Sequence, residues 1–287
     1  MAAYGDGYWW SGDGLRLHYR DYPGSDAVPP LLCIPGLTRN ARDFEGLAAR
    51  LSGARRVICV DLRGRGESAY AKDPMSYVPL TYAQDLERLI GELGLTRLVT
   101  IGTSLGGIVS MLLAAQNPQR LAGAILNDVG PVIEKKGLER IRGYVGRGSA
   151  WPTWIHAARA LGEINKAVYP GYALEEWLRM AKQIYKLNAQ GRVVPDYDNK
   201  IAEPFRLPGG EAGVDLWPAL EAMKVAPLLI VRGALSDILS EATAAEMKKR
   251  VKGAKLVTVA ETGHTPTLEE PAAARAIDRF LAALDPA

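Results

Sequence analysis

"TRLVTIGTSLGG", residues 96–107, is an apolar, β-branched run that ends in a serine set between glycines. The pattern predicts a strand over 96–103 and a helix over 105–118, with Ser104 at the junction. A serine at so sharp a turn must take a strained backbone conformation. The residues two before and two after it must be small, or the turn cannot close. Here both are glycine, Gly102 and Gly106, and Gly107 adds room for the helix to approach the sheet. This is the G-x-S-x-G arrangement that presents a serine hydroxyl at the end of a strand. The N–H of Leu105, at the helix N-terminus, is placed to meet an oxyanion formed at that hydroxyl. Taken alone, the pentapeptide also fits a bare turn in which Ser104 caps a helix.

The surrounding pattern is α/β. "YWW" and "LRLHYRDY" flank the turn "SGDG" and read as an N-terminal hairpin. Strands are expected at 29–36, 55–62, 121–130, 226–233 and 254–261, and helices at 41–53, 81–94, 241–253 and 270–284. The strands are apolar throughout, as when helices cover both faces of a parallel sheet. From Pro131 the strand rhythm stops. Residues 131–213 read as a helical insertion rich in Trp and Tyr, including the stretch "ALEEWLRMAKQIYKLN". The core is therefore 1–130 with 214–287, and 131–213 forms a cap.

Bulk properties narrow the class. Of the 287 residues, 48% are hydrophobic and 23% charged, and the net charge is +3 with the basic residues scattered. That balance suits a globular enzyme and offers no nucleic-acid footprint. Cys33 and Cys59 lie inside apolar runs and read as small buried hydrophobes. The start "MAAYGDGYWW" lacks a signal-peptide pattern, and no run is long enough to span a bilayer. A cytoplasmic location is expected, with no membrane partner. A homodimer is compatible with the sequence.

A serine nucleophile needs a base and an orienting acid. The chain has three histidines. His18 lies in the hairpin and reads as structural. His156 lies in the insertion. His264, in "ETGHTPTLEEP", follows a predicted strand and shares the carboxyl edge of the sheet with Ser104. Two acids lie at that edge. Asp237, in "VRGALSDILS", sits in the longer loop and falls between Ser104 and His264 in chain order. It is the first choice for the acid. Asp128, in "LNDVGP", is the reserve, with a turn cap as its other reading. Dispersed histidines, with no Cys/His cluster, argue against a metal. "GRGESA" (64–69) is a weak dinucleotide pattern, since no helix follows it and Asp61 precedes its glycines. No cofactor is expected, and Asp61, Arg63 and Glu67 read as turn residues.

On these residues the sequence resembles the α/β-hydrolase superfamily. "DLRGRGES" (61–68) is similar to the family's D-x-R-G-x-G-x-S turn, and "GHTPTLEEP" (263–271) to its G-H segment. The resemblance implies a mostly parallel eight-stranded sheet with helices on both faces and a helical cap. It also implies a second oxyanion donor, the Leu37 N–H in "PGL", where the family's His-Gly is replaced by Pro35-Gly36. The implied activity is hydrolysis, through an acyl-enzyme, of a small to medium, largely apolar ester or lactone. C–C bond hydrolysis and acyl transfer on the same fold are alternatives, and a ligand-binding receptor with little turnover is a third class. Trp151, Trp154, His156 and Tyr144 are the candidate pocket residues of the cap. Arg140, Arg142 and Arg147 read as a solvated face rather than an anion site.

Overall fold

The computed structural model describes residues 3–206 and 215–285. Strands β1 (Gly5–Trp10) and β2 (Arg16–Tyr22) form the expected hairpin, and β3 (Leu31–Ile34), β4 (Val57–Asp61), β5 (Leu98–Thr103) and β6 (Leu121–Asn127) follow. A small hairpin of β7 (Tyr185–Leu187) and β8 (Val193–Pro195) lies within the insertion, and β9 (Leu228–Gly233) and β10 (Lys255–Val259) complete the large sheet. That sheet has eight strands in the order β1-β2-β4-β3-β5-β6-β9-β10. The contacts of β2 with β1 and β4 are antiparallel, and the remaining neighbours are parallel.

Helices α1 (Glu45–Leu51), α2 (Pro79–Glu92) and α3 (Leu105–Gln116) belong to the first half of the core. The insertion holds α4 (Lys135–Tyr144), α5 (Trp154–Asn165), α6 (Leu174–Ile184) and α7 (Glu203–Arg206). Helices α8 (Trp217–Ala222), α9 (Glu241–Arg250) and α10 (Pro271–Ala282) complete the chain. Among the described residues no helix is long and apolar enough to cross a membrane. The expected boundary between insertion and core, at 213/214, lies outside the described residues.

Alternation along the strands assigns the two faces. Leu32 and Ile34 of β3 pack with Leu86, Leu89 and Val109, on the side of α2 and α3. Leu31 and Cys33 pack with Leu47, Ile277 and Phe280, on the side of α1 and α10. Cys33 and Cys59 are register neighbours, and both are buried free thiols. The insertion has its own apolar cluster, in which Leu161 and Ala158 of α5 meet Trp177, Met180 and Ile184 of α6.

Helix α6 is shorter than expected. It stops at Ile184, and Tyr185 starts β7. The cause is the turn at "NAQG". Gly191 takes φ +69° and its N–H donates to the Asn188 carbonyl at 2.9 Å, which folds Val193 back onto Leu187. That hairpin is then held to Trp151 by reciprocal bonds with Val193 at 2.9 Å.

The turn after β4 is the polar hub of the fold. The buried Asp61 carboxylate accepts from the N–H groups of Ala41 and Glu67, at 2.6 and 3.0 Å, and contacts His18 Nδ1 at 2.7 Å. Arg63 makes paired bonds to both Asp85 and Asp13. Arg65, fully buried, donates to the carbonyls of Arg63 and Leu37 and to the Tyr82 hydroxyl. The insertion docks on the same turn. The Gly66 N–H donates to the Asp196 carbonyl at 3.1 Å and the Asp198 N–H to the Gly64 carbonyl at 2.7 Å. Arg42 binds the Asp196 carboxylate at 2.6 Å. The structural roles expected for Asp61, Arg63 and Glu67 match these contacts.

His18 is buried with a carboxylate at each ring nitrogen, Asp61 at 2.7 Å and Asp6 at 2.9 Å. Burial opposes the charged imidazolium, but the two carboxylates outweigh it and raise the His18 pKa. A histidine with a folded pKa above its unfolded value of about 6.5 stabilises fully below that pH and loses the contribution as pH rises through the folded value. Urea unfolding is therefore expected to show stability declining from about pH 6.5 upward more steeply in the wild type than in His18→Gln. Parallel pH dependences in the two proteins would refute the clamp.

Candidate active site

Ser104 sits between β5 and α3 with φ 52° and ψ −116°, a conformation costly for a residue with a side chain. Its N–H donates to the Asn127 carbonyl at 2.9 Å, which fixes the turn to the end of β6. A Cβ on Gly102 would collide with the backbone of Gly106 and Gly107, and one on Gly106 with the carbonyls of Ile34 and Pro35. Helix α3 thus lies directly on β3 and β5, and only glycine allows that approach.

The Ser104 hydroxyl lies 2.8 Å from His264 Nε2, and His264 Nδ1 lies 2.8 Å from Oδ2 of Asp128. The Asp128 carboxylate is fully buried. It also accepts from the Gly233 N–H at 2.8 Å and from the Ser236 hydroxyl at 2.7 Å. Its backbone is left-handed, with φ 56°, and its N–H donates to the Val231 carbonyl at 2.8 Å. Asn127 donates to the Pro266 carbonyl at 2.8 Å, so the His264 loop folds back over the end of β6.

Asp237, the acid expected from the sequence, is corrected to Asp128 by this geometry. Asp237 does not hydrogen-bond His264; its two oxygens bind Arg140 of α4 at 2.6 and 2.8 Å. Burial works to raise the Asp237 carboxyl, but Arg140 prevails and holds it below its ordinary value. Asp237 stands four residues beyond the end of β9 and reaches the insertion. Asp128 directly follows β6, the neighbour of β5, and needs no long loop to meet the imidazole. Chain order does not separate the two acids, since both fall between Ser104 and His264. The "GALSD" loop contributes Ser236 instead, whose hydroxyl also accepts from the N–H groups of Ile238 and Leu239.

The insertion grips the His264 loop on both sides. The Gly263 N–H donates to the Val168 carbonyl at 2.7 Å, and the Tyr169 hydroxyl donates to the Thr265 carbonyl at 2.5 Å. Neither contact was legible in the sequence. A cavity of about 80 Å³ lies over Ser104, bounded by Gly36, Leu37, Tyr144, Tyr169, Met180 and His264. The Gly36 carbonyl accepts from the Arg39 N–H at 3.2 Å, so the Leu37 N–H, trans to it in the same peptide, points the other way. Arg65 anchors the Leu37 carbonyl at 2.9 Å. Among the described residues the N–H groups of Leu37 and Leu105 have no protein acceptor.

A second cavity, of about 420 Å³, adjoins the first, and Thr38, Arg39, Arg140, Tyr144, Leu161 and Asn165 border both. Of the aromatic and histidine residues expected in the pocket, Tyr144 and Trp151 line this space. Trp154 and His156 do not. Trp154 packs on the insertion's own apolar cluster, and His156 is exposed and bonded to Thr153 at the start of α5. Among the described residues no group of three or more His, Cys, Asp or Glu side chains is arranged to hold a metal.

The Alpha/beta hydrolase family matches residues 31–277. A 3-hydroxybutyrate-oligomer hydrolase from Cupriavidus necator is 37% identical over 268 residues, 90% of this chain and 89% of its own length. A 2-(acetamidomethylene)succinate hydrolase from Mesorhizobium japonicum is 29% identical over 82% of this chain and 81% of its own. The crystal structure of an alpha/beta hydrolase from Novosphingobium aromaticivorans superposes with a TM-score of 0.94 at 57% identity, covering 98% of this chain and 99% of that one.

Crowding at the serine turn has a measurable consequence. Gly102→Ala and Gly106→Ala are each expected to cost about 1–3 kcal/mol in chemical denaturation, as overpacked sites do. Gly91→Ala, where an added Cβ meets nothing within 4 Å, should instead be neutral or stabilising by up to about 1 kcal/mol.

Proposed function

This chain belongs to the α/β-hydrolase family, and from that premise we propose that it cleaves carboxylic esters through an acyl-enzyme formed on Ser104. The observation that supports this reading is the continuous relay from the Ser104 hydroxyl through His264 to the buried Asp128. In the proposed reaction His264 Nε2 takes the Ser104 proton as the hydroxyl oxygen attacks the ester carbonyl. The N–H groups of Leu37 and Leu105 receive the oxyanion. The carbon–oxygen bond then breaks, and His264 returns the proton to the departing alkoxide. Water, activated by the same imidazole, attacks the acyl-enzyme and releases the carboxylic acid. Asp128 holds the imidazole in the tautomer with Nδ1 protonated and stabilises the imidazolium.

Residues 131–213 act as the cap of this site, and Tyr144 and Trp151 belong to the wall that meets the substrate. Esters are favoured over amides because an alkoxide asks less of the acid step than an amine. The 37% identical relative named as a 3-hydroxybutyrate-oligomer hydrolase supports a short aliphatic hydroxyacid ester as the substrate.

A fluorophosphonate probe is expected to label the wild type and to leave Ser104→Ala unlabelled; labelling elsewhere, or none, would sink the proposal. With a p-nitrophenyl ester, Asp128→Asn should lose roughly 10³–10⁴-fold in kcat, because the amide stabilises the wrong tautomer. Asp237→Asn should stay within about tenfold of the wild type. The reverse ranking would return the acid role to Asp237.

A further inference from the structure

We infer that the outer cavity binds the free carboxylate of a hydroxyacid oligoester, with Arg147 as its charge partner. The inference rests on Ser104 being the nucleophile of an esterase and specifies which substrate the site is built to take.

Three arginines, Arg39, Arg140 and Arg147, line the outer cavity, and no aspartate or glutamate does. Two of them are already paired. Arg39 binds Asp43, with Nε at 2.8 Å, and Arg140 is held bidentately by Asp237. Both of those carboxylates stand outside the lining of this cavity. Arg147 is exposed and, among the described residues, its guanidinium has no carboxylate partner. It follows the end of α4, where its N–H is bonded to the Tyr144 carbonyl at 3.2 Å. Of the three, Arg147 therefore leaves its positive charge uncompensated by a carboxylate at the wall of the cavity. A guanidinium fork matches a carboxylate with two parallel hydrogen bonds.

Part of the wall suits an aliphatic chain. Leu161, Ile164 and Ile184 supply apolar surface, and Trp151 packs against Tyr185 with ring centroids 4.7 Å apart. The inner cavity over Ser104 is smaller, about 80 Å³. A linear hydroxyacid oligomer has a fixed polarity. Each scissile ester has its acyl half toward the free hydroxyl end and its alcohol half toward the free carboxylate. Attack by Ser104 breaks the bond to the alcohol oxygen, and the leaving hydroxyacid takes the proton from His264. The carboxylate that Arg147 binds is thus on the leaving half. Of the arginines of "ERIRGYVGRG", read from the sequence as a solvated face, Arg147 is exposed as expected, whereas Arg140 is paired with Asp237.

The experiment compares the linear dimer of 3-hydroxybutyrate with its methyl ester, using p-nitrophenyl acetate to monitor the Ser104 chemistry. The wild type is expected to prefer the free acid by about tenfold or more in kcat/KM, chiefly through KM. Arg147→Gln should reduce that preference at least about fivefold, and Arg147→Lys should restore part of it. Equal kcat/KM for the acid and the methyl ester in the wild type, with p-nitrophenyl acetate turned over, overturns the carboxylate site alone. A preference undiminished in Arg147→Gln overturns it equally. If none of the three esters is hydrolysed, the esterase reading falls and this inference with it.

Discussion

The Asp128 carboxylate is the point on which the site hangs. It is fully buried, and a buried carboxylate is tolerable only when its oxygens are occupied. Here the occupants come from three places in the chain: the end of β9 through Gly233, the following loop through Ser236, and the loop after β10 through His264. One anion thereby gathers the ends of β6, β9 and β10 into a fixed relation. The Ser104 turn is tied to the same place through the Asn127 carbonyl. The imidazole and the hydroxyl meet because both are referenced to the β6 terminus.

A second polar centre performs the same service for the insertion. The Asp61 turn collects the hairpin histidine, the Ala41 N–H and the Glu67 N–H, while its glycines bond the backbone of Asp196 and Asp198. Arg65 runs from this turn to the Leu37 carbonyl, so the wall of the inner cavity is braced from the same turn. Buried ionic groups of this kind contribute modestly to net stability, but losing one partner strands a charge. Their value here is positional. They set where the insertion lies over the carboxyl edge of the sheet.

Much of this was legible in the residues. The apolar runs located six strands of the large sheet, because a strand covered on both faces is apolar along most of its length, and the turn "SGDG" located the hairpin of β1 and β2. The spacing of Gly102 and Gly106 about Ser104 marked the turn, because the crowding there is local. The placement of His264 followed from its position after a strand. What was not legible depended on side chains crossing between distant segments. Asp128 and Asp237 follow neighbouring strands, and nothing in their local sequence says that Arg140 holds one of them. The hairpin at 185–195 was hidden because "QIYKLN" continues a helical pattern until the Asn188–Gly191 turn intervenes. The cavity wall was the least readable part, since Arg39, Asn165 and Arg147, far apart in the chain, come to line one space only in the folded protein.

The contacts of Val168 and Tyr169 with the residues flanking His264 carry a consequence for modularity. A roof that merely covered the serine could be exchanged for another without disturbing the atoms beneath it. This roof also holds the seat of the imidazole, and Tyr169 is at once a wall of the inner cavity and a brace for the loop. The cavity wall and the support of the His264 loop therefore share a segment of chain. Reshaping the wall around 165–172 to admit a different molecule disturbs the support of His264 as well. Recombination among relatives would have to transfer that segment together with the loop after β10, as one heritable unit.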